Sequence, residues 1–294
     1  MGVCTLYPLP GASIFPIVSK RRHPLPLIIT PFLYMKRTIL ITGSAKGLGA
    51  ALGIALAKDG HRIALHYCSS RNEAEEKMQV IRNWGGDCAA FQSPLTNLSD
   101  GEKLIDQVAT HFGALDTLIN NAGVFNRKRF EELTQEEWET GFASTAGAAF
   151  YATRAALPHL RKSGHGRIVN IGDALSDRVG FTEPAMSYYI GKVGVWMMTQ
   201  TLAHTEAPHK VTVNMISPGV LPGSICDTPV EEMPMGRHGT YDDVIHPIRF
   251  LLEETSEAIT GSNFHVSGGW NTAPLFPTVL KRAGYTKSPL DGTK

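Results

Sequence analysis

Apolar residues recur in two alternating patterns between Lys36 and Trp270. Short apolar runs rich in β-branched residues, such as TILI at 38–41, predict buried strands. Longer segments with apolar residues at helical spacing, such as 47–60, predict helices, and the glycine at position 60 is typical of a helix end. Each predicted strand except the last is followed by a predicted helix.

The alternation comprises seven predicted strands and six predicted helices. The predicted strands span 37–42, 61–67, 88–93, 115–123, 166–173, 211–219 and 262–269. The predicted helices span 47–60, 71–86, 99–113, 134–164, 185–207 and 241–254. Ser99 and Glu102 predict a capping box at the start of the third helix. Such alternation is typical of parallel strands joined by right-handed helical crossovers. The predicted fold class is therefore α/β, a single Rossmann-type doubly wound parallel sheet of about seven strands flanked by helices.

The chain divides into three predicted segments. Residues 1–34 are rich in proline, contain no apolar run near the roughly 18 residues that span a membrane, and carry their basic cluster too late for a signal peptide. We expect a disordered extension there, with Met35 as a candidate start of translation. Residues 35–272 form one predicted domain, and 273–294 form a C-terminal tail without a clear period.

Composition and charge narrow the classes of function. The chain is 43% hydrophobic and 19% charged, which fits a fully buried core. A formal net charge of +1 argues against nucleic acid or an anionic membrane as the main partner. The four cysteines, Cys4, Cys68, Cys88 and Cys226, show no CxxC pair and no zinc-type spacing, so no metal site is expected. Scattered cysteines of this kind indicate free thiols in a reducing compartment, so we expect a cytoplasmic protein.

A glycine-rich turn, TGSAKGLG at 42–49, follows the first predicted strand. Gly43, Gly47 and Gly49 give the spacing G-x-x-x-G-x-G. Such a turn lets the backbone approach a pyrophosphate, and the helix that follows presents free N–H groups and partial positive charge. Because the turn joins the first strand to the first helix, it predicts a dinucleotide site rather than a plain tight turn.

The end of the second predicted strand indicates which dinucleotide binds. An NAD site carries a carboxylate there for the ribose 2′-hydroxyl, but this chain has no acidic residue before Glu73. The positions after the strand offer hydroxyls and a cation suited to a 2′-phosphate: Cys68, Ser69, Ser70 and Arg71. Lys46 adds a second cation. NADPH is therefore favoured over NADH, unless Arg71 is merely solvated at the start of its helix.

Tyr188 and Lys192 lie four positions apart, on one face of a predicted helix. A lysine beside a tyrosine can lower the pKa of the phenol, which then donates or accepts a proton near neutral pH. The spacing alone is common by chance. Its position after the fifth strand of a dinucleotide-binding sheet makes it specific.

Five motifs together resemble the short-chain dehydrogenase/reductase family over about Lys36 to Trp270. They are TGSAKGLG at 42–49, NNAG at 120–123, YYIGK at 188–192, SPG at 217–219 and VSGG at 266–269. The resemblance implies hydride transfer from a nicotinamide, with Tyr188 as proton donor. It also implies that Lys192 holds the nicotinamide ribose and lowers the Tyr188 pKa, and that Asn121 helps to place the cofactor backbone.

The resemblance and the turn chemistry together define an expected cofactor site. Its residues are Gly43, Ser44, Lys46, Gly47, Leu48, Gly49, His66, Tyr67, Cys68, Ser69, Ser70, Arg71, Asn121, Ala122, Gly123, Lys192, Pro218 and Gly219. The family also implies a homotetramer or homodimer built on the helices that carry Tyr151 and Tyr188. The stripe of Val195, Met198 and Leu202 is either part of that interface or part of the core.

The expected substrate residues are Phe125, Asp173 and Tyr188. The family usually places a serine where this chain has Gly172 or Asp173. An aspartate there resembles the pteridine and dihydromonapterin reductases, in which it works with the tyrosine to protonate a pterin ring nitrogen. Phe125 falls where those enzymes stack an aromatic ring on the pterin, which suits a flat heteroaromatic substrate. Alternatively, Phe125 is an aromatic residue of the core or of a lid.

Departures from the family pattern keep two alternatives open. Ser176 lies twelve residues before Tyr188, near the usual serine spacing, and favours a carbonyl reductase acting on an acyl thioester or small ketone. Thr145 stands where the family has a relay asparagine, Pro94 where an aspartate contacts adenine, and Ser267 where an aspartate is common. These favour a catalytically weak NADPH-binding protein that acts by interaction.

Overall fold

The computed structural model describes residues 35–178, 185–225 and 228–270. The predicted extension at 1–34, the predicted tail at 273–294, Cys4 and Cys226 all lie outside the described residues.

Seven parallel strands form one sheet in the order β3-β2-β1-β4-β5-β6-β7. The strands are β1 (Thr38–Ile41), β2 (Arg62–Tyr67), β3 (Cys88–Gln92), β4 (Thr117–Asn120), β5 (Arg167–Ile171), β6 (Thr212–Pro218) and β7 (Asn263–Val266). The helices are α1 (Gly47–Lys58), α2 (Arg71–Asn83), α3 (Leu98–Phe112), α4 (Gln135–Phe142), α5 (Ala148–Ser163), α6 (Met186–Glu206) and α7 (Tyr241–Leu252). The predicted fold class is confirmed.

Alternation along the strands divides the core between the two faces of the sheet. In β1, Ile39 and Ile41 pack with α1 and α7, while Leu40 between them packs on the opposite face with α3 and α5. Successive side chains of a strand point to opposite faces, so an all-apolar strand needs helices on both sides. This explains why TILI is a continuous apolar run.

The sheet order sets the position of the site. Strand β1 pairs with β2 on one side and with β4 on the other, so the direction of winding reverses between β1 and β4. In open parallel sheets, ligands bind at the carboxyl ends of the strands beside such a reversal. The glycine-rich turn and NNAG follow β1 and β4, and therefore lie side by side there.

Two predicted helix features are corrected by the structure. The N-cap of α3 is Asn97, whose side chain accepts from the backbone N–H of Asp100, so the capping box predicted at Ser99 is wrong. Asn and Ser are about equally good N-caps, so the choice follows from where the chain turns into the helix, which begins at Leu98. The predicted helix 134–164 contains a π-helical turn at Ala143–Gly147 between α4 and α5.

The stripe on α6 belongs to the core. Val195 is buried in a cluster with Ala149 and Met215, and Met198 packs against that cluster. Leu202 packs against the larger core on the α3 and α5 face. These contacts favour the core alternative for the stripe, with Val195 buried and Met198 and Leu202 half-buried at the edge of the core.

No helix among the described residues is both long and apolar enough to cross a membrane. No group of three or more His, Cys, Asp or Glu side chains in the same ranges could hold a metal ion.

Candidate active site

The glycine-rich turn is shaped so that backbone, not side chain, faces the crevice. Gly43 and Gly47 have φ of +62° and +54°, where glycine avoids the strain of a side chain. A Cβ at Gly49 would lie 2.6 Å from Asn121 Nδ2 and from the Gly43 carbonyl oxygen. The turn therefore forms a cradle that a larger residue at position 49 would fill.

NNAG after β4 holds this cradle in place. The Asn121 side chain donates from Nδ2 to the carbonyls of Thr42 at 3.0 Å and Gly43 at 2.9 Å. Thr42 Oγ1 in turn accepts from the backbone N–H groups of Asn121 and Ala122. Asn121 thus fixes the protein backbone of the cradle.

His66 supports the cradle from below. Its Nδ1 accepts from the Gly43 N–H at 3.0 Å, and its Nε2 lies 2.9 Å from the Ser93 carbonyl oxygen. Burial lowers the pKa of this imidazole to about 4. The neutral ring therefore carries its proton on Nε2, and one buried side chain links the cradle to the end of β3.

A cavity of about 630 Å³ extends from the cradle along the ends of β2 and β4. Its lining includes most of the predicted cofactor residues: Gly43, Lys46, Gly47, Leu48, Gly49, His66, Cys68, Asn121, Ala122 and Gly123. Pro94 lines it too. Its size and its glycine cradle fit a dinucleotide.

Two predicted cofactor residues face the protein interior. The hydroxyl of Ser44 is fully buried and donates to the Ile41 carbonyl at 2.8 Å. Tyr67 is buried in a small cluster with Ala45 and Ala74. Both shape the site from behind. Ser69 and Ser70, which follow β2, are not among the residues that line the cavity.

Both predicted phosphate-binding cations lie near the end of β2, and each is paired. Lys46 Nζ is 2.6 Å from Glu73 Oε1. Arg71 donates to Glu75 Oε1 at 3.2 Å and to Gln92 Oε1 at 3.1 Å. All of these pairs are exposed, and exposed ion pairs contribute little stability, so a phosphate can displace the carboxylates.

Buried amides attach α6 to the sheet. Asn120 in β4 donates to Asn170 Oδ1 in β5 at 2.8 Å. Asn170 donates to Thr199 Oγ1 in α6, also at 2.8 Å. Buried hydrogen bonds of this kind fix the position of a helix. They hold α6, which carries Tyr188 and Lys192, at the carboxyl end of β5.

Lys192 is almost fully buried behind the site. Its ammonium donates to the Ile171 carbonyl at 2.6 Å and lies 5.4 Å from the centroid of the Tyr188 ring. Burial lowers the pKa of Lys192 to about 8, and the charge of Asp173 partly opposes this shift. Lys192 therefore remains mostly charged at neutral pH.

Asp173 and Tyr188 share the cleft beyond the cradle. Burial raises the pKa of Asp173 to about 6. Burial, and then the charge of Asp173, raise the pKa of Tyr188 well above its usual value. The net lowering of the Tyr188 pKa that the resemblance implies is thus not found in the free protein, because burial and the charge of Asp173 oppose ionisation of the phenol.

The cleft around this pair has a volume of about 320 Å³ and several aromatic walls. The Phe125 ring stands edge-on to the Tyr188 ring, with centroids 5.0 Å apart and an interplanar angle of 81°. Tyr189 and Trp270 complete the aromatic lining. Pro218 and Gly219 also line the cleft. The core alternative for Phe125 is wrong, since its ring faces the cleft.

Ser176, the alternative catalytic serine, does not line the cleft. It is fully buried, and its hydroxyl accepts from the backbone N–H of Asp173 at 2.6 Å. The structure therefore brings Asp173, not Ser176, beside Tyr188.

Thr145 presents its methyl group to the site. Its hydroxyl donates back to the carbonyls of Gly141 and Phe142 within the helix. A Cβ at Gly123 would lie 3.2 Å from Thr145 Cγ2 and 3.7 Å from Lys192 Nζ. A threonine hydroxyl bound in this way does not face Lys192.

Sequence reasoning missed Tyr189, Val220, Ile225 and Trp270, which line the cleft. The only signal for Tyr189 is its place beside Tyr188. Trp270 directly follows the VSGG motif, at the end of the stretch that resembles the family. Its position in the cleft depends on how β7 pairs with β6.

The chain is similar to known proteins in sequence and in fold. A family model described as Enoyl-(Acyl carrier protein) reductase matches residues 43–271. The 3-oxoacyl-(acyl-carrier-protein) reductase FabG of Staphylococcus aureus strain Mu50 is 28% identical over 244 residues, which cover 80% of this chain and 98% of the relative. An uncharacterised oxidoreductase of Methylorubrum extorquens is 32% identical over 245 residues, covering 79% and 97%. A solved short-chain dehydrogenase/reductase from Serratia marcescens BCRC 10948 has a TM-score of 0.75 and 28% identity, covering 81% of this chain and 99% of its own.

Proposed function

This chain belongs to the short-chain dehydrogenase/reductase family, and from that premise we propose that it reduces a dihydropterin or related pteridine with NADPH. The observation that carries the proposal is a carboxyl group, Asp173, in the same cleft as the Tyr188 phenol and the Phe125 ring. A carboxyl group held there suits the protonation of a ring nitrogen. Ser176 is buried away from the cleft, so it offers no hydroxyl to a carbonyl substrate.

The cradle and its neighbours would hold the cofactor. Gly43, Gly47 and Gly49 would receive the pyrophosphate at the start of α1, and Lys46 with Arg71 would receive the 2′-phosphate. Lys192 would hold the nicotinamide ribose, beside a further cavity of about 200 Å³ lined by Gly123, Tyr188 and Gly219. Bound NADPH supplies the hydride.

The chain's own residues supply the proton. Reduction of a ring C=N bond adds the hydride to carbon and a proton to the adjacent nitrogen. Tyr188 keeps its proton at neutral pH because its pKa is raised, so it can donate. Asp173, with a pKa of about 6, either donates directly, when protonated, or orients a water that returns the proton to Tyr188.

Lys192 would stabilise the charge that develops. Its ammonium lies against the Tyr188 ring and is fixed by the Ile171 carbonyl. A positive charge at this distance favours the phenolate left after proton transfer more than it favours the neutral phenol. Lys192 therefore lowers the barrier to proton donation even though Tyr188 is protonated at rest.

The test is turnover measured by loss of reduced nicotinamide absorbance. Dihydrobiopterin and dihydromonapterin are compared with an acetoacetyl thioester, each with NADPH and with NADH. We expect turnover on the pterins with NADPH, and a large loss of it in Asp173→Ala. Binding of NADPH without turnover on any of these substrates would instead favour a protein that acts by interaction.

A carbonyl reductase is the second candidate, because the similar Staphylococcus aureus protein is a 3-oxoacyl-(acyl-carrier-protein) reductase. In that case Tyr188 would protonate the carbonyl oxygen without a serine, since Ser176 is buried. Turnover on the thioester alone, with little effect of Asp173→Ala, would establish this alternative and overturn the pteridine proposal.

A further inference from the structure

The residues after β5 form a tight, hydrogen-bonded turn that carries Asp173 at its first position. The Ser176 N–H donates to the Asp173 carbonyl at 2.9 Å. The Asp173 N–H donates to Ser176 Oγ at 2.6 Å, and the Leu175 N–H donates to Asp173 Oδ1 at 3.0 Å. One carboxylate oxygen and the backbone of Asp173 are thus both fixed within four residues.

The two ends of this turn are attached to neighbouring strands. At its start, the Gly172 N–H donates to the Ile216 carbonyl of β6 at 2.7 Å. At its end, Asp177 Oδ2 lies 2.7 Å from His265 Nε2 and accepts from Asn263 Nδ2 at 3.2 Å, both from β7. The turn therefore cannot rotate as a unit, and the direction of the Asp173 side chain depends on bonds inside it.

Ser176 is the side chain that closes the turn. It is fully buried, and Asp173, which it binds through the backbone, lines the cleft while Ser176 does not. A buried N–H without an acceptor is costly, so loss of the hydroxyl would make the Asp173 backbone reorient toward another acceptor.

We propose that Ser176 is a positioning residue, whose hydroxyl accepts from the Asp173 N–H and thereby directs the Asp173 carboxyl toward Tyr188. The inference rests on the proposed pteridine reduction, because it assigns Ser176 an effect only through Asp173. In this proposal Ser176 acts only within the turn and does not contact the substrate.

The first test is Ser176→Ala in the full chain, with kcat for dihydropterin reduction as the readout. Displacement of a catalytic group by about 1 Å can cost on the order of a hundredfold in rate, so we expect a fall of about ten- to a hundredfold in kcat. The dissociation constant of NADPH should stay within about twofold, because the turn does not form the cradle. Ser176→Cys, which supplies a weak acceptor of similar size, should lose less and serves if Ser176→Ala folds poorly.

A double-mutant cycle separates positioning from a general structural effect. If Ser176 acts through Asp173, Ser176→Ala should lower kcat less than about twofold in an Asp173→Asn background, because no carboxyl remains to position. The change in kcat near pH 6, assigned to Asp173, should also move to a different pH in Ser176→Ala.

Ser224, an exposed residue that lines the cleft, provides a control with the same hydrogen-bonding pattern in its turn. Its hydroxyl accepts from the Leu221 N–H at 3.1 Å, and its own N–H donates to the Leu221 carbonyl at 3.0 Å, so it closes the same kind of turn without an acidic residue. Ser224→Ala should change kcat by the same factor whether position 173 is Asp or Asn.

The outcomes are distinguishable. Equal losses from Ser176→Ala in both backgrounds, or an unchanged kcat, would overturn the positioning role and leave the pteridine proposal intact. No loss of pterin turnover in Asp173→Asn alone would overturn the use of Asp173 in the proposed function itself.

Discussion

The three ionisable groups beside the cleft have pKa values that predict the pH dependence of turnover. With Asp173 as proton source, the active form is the protonated acid, whose population rises as pH falls toward and below about 6. Lys192 must be charged, and it loses its proton above pH about 8. Tyr188 stays protonated throughout. We therefore expect kcat for pterin reduction to rise as pH falls from 7, to reach half of its low-pH plateau near pH 6, and to decline further above about 8.

Steady-state kinetics between pH 5 and 9, at saturating NADPH, check this prediction. Asp173→Asn should remove the change near pH 6 and leave the decline above pH 8. A wild-type profile that is flat between pH 5 and 7 would show that Asp173 does not supply the proton.

The same raised pKa predicts that Asp173 destabilises the fold at neutral pH. Its pKa rises from 3.8 in the unfolded chain to about 6 in the folded protein, so the folded state binds the proton more tightly. The cost of ionising it is absent below pH about 4 and complete above about 6, and about two pKa units correspond to on the order of 2–3 kcal/mol. Asp173→Asn should therefore increase the free energy of unfolding at pH 7.5 and leave it nearly unchanged at pH 4.

Urea denaturation at the two pH values measures this effect. Asp106→Asn, at an exposed position of α3, is the control and should change the free energy of unfolding by less than about 0.5 kcal/mol at either pH. Equal stabilisation by Asp173→Asn at both pH values would mean that packing, not ionisation, is responsible.

At the scale of elements, α6 is placed by unusually close packing against α4 and the π-helical turn. A Cβ at Gly191 would overlap Thr145 Oγ1, and a Cβ at Gly141 would overlap Ser187 Oγ. Both close approaches need glycine. They set the depth of α6, and with it the distance of Tyr188 from the cradle.

Gly191→Ala should therefore destabilise the protein and lower activity together. Overpacking of this kind costs about 1–3 kcal/mol, and the displaced helix carries Tyr188. Gly194→Ala, one turn along α6, is the matched control, because its Cβ would lie 3.4 Å from Ala146 Cβ, an ordinary contact. Replacing glycine within a helix adds up to about 1 kcal/mol of stability, so Gly194→Ala should be neutral or stabilising. Thermal unfolding and kcat of both variants test the prediction, and equal behaviour of the two would refute it.

The sequence predicts features that depend on local patterns, but not those that depend on packing between distant segments. The run TILI and the spacing of Gly43, Gly47 and Gly49 are local patterns, and the structure confirms the strand, the turn and the sheet they predict. At the π-helical turn, Thr145 meets Gly191 of another helix, and no local period reveals this close approach. The inward direction of Ser176 likewise depends on a turn held by strands β6 and β7, so spacing from Tyr188 could not exclude it as a catalytic serine.

At the scale of the molecule, the parallel sheet brings distant segments to one edge. Gly123, Asp173 and Gly219 follow β4, β5 and β6, and all three line the cleft next to Tyr188. Because every strand runs in the same direction, each strand-to-helix connection on this side adds to the same site. A cofactor cradle and a substrate cleft can therefore be continuous, and they share Gly123.

The outer surface predicts how copies of the chain associate. Phe142, Phe150 and Met197 are 47%, 48% and 63% exposed, and they lie on α4, α5 and α6, the helices around the π-helical turn. Large apolar side chains exposed on neighbouring helices favour an interface there. We propose that a second copy covers this face, which agrees with the homodimer or homotetramer expected on the helices of Tyr151 and Tyr188.

Light scattering coupled to size-exclusion chromatography tests this assembly. Phe150→Glu combined with Met197→Glu would bury charge at the contact, at a cost of several kcal/mol, so we expect a wild-type oligomer to become a monomer. Phe250 on α7 is 42% exposed at a different face and provides the comparison. Phe250→Glu should leave a dimer built on α4 to α6 intact, and should reduce a tetramer to that dimer if α7 forms the second contact. A wild-type protein that is monomeric at micromolar concentration would refute the assembly, whereas an oligomer unaffected by the double variant would locate the interface elsewhere.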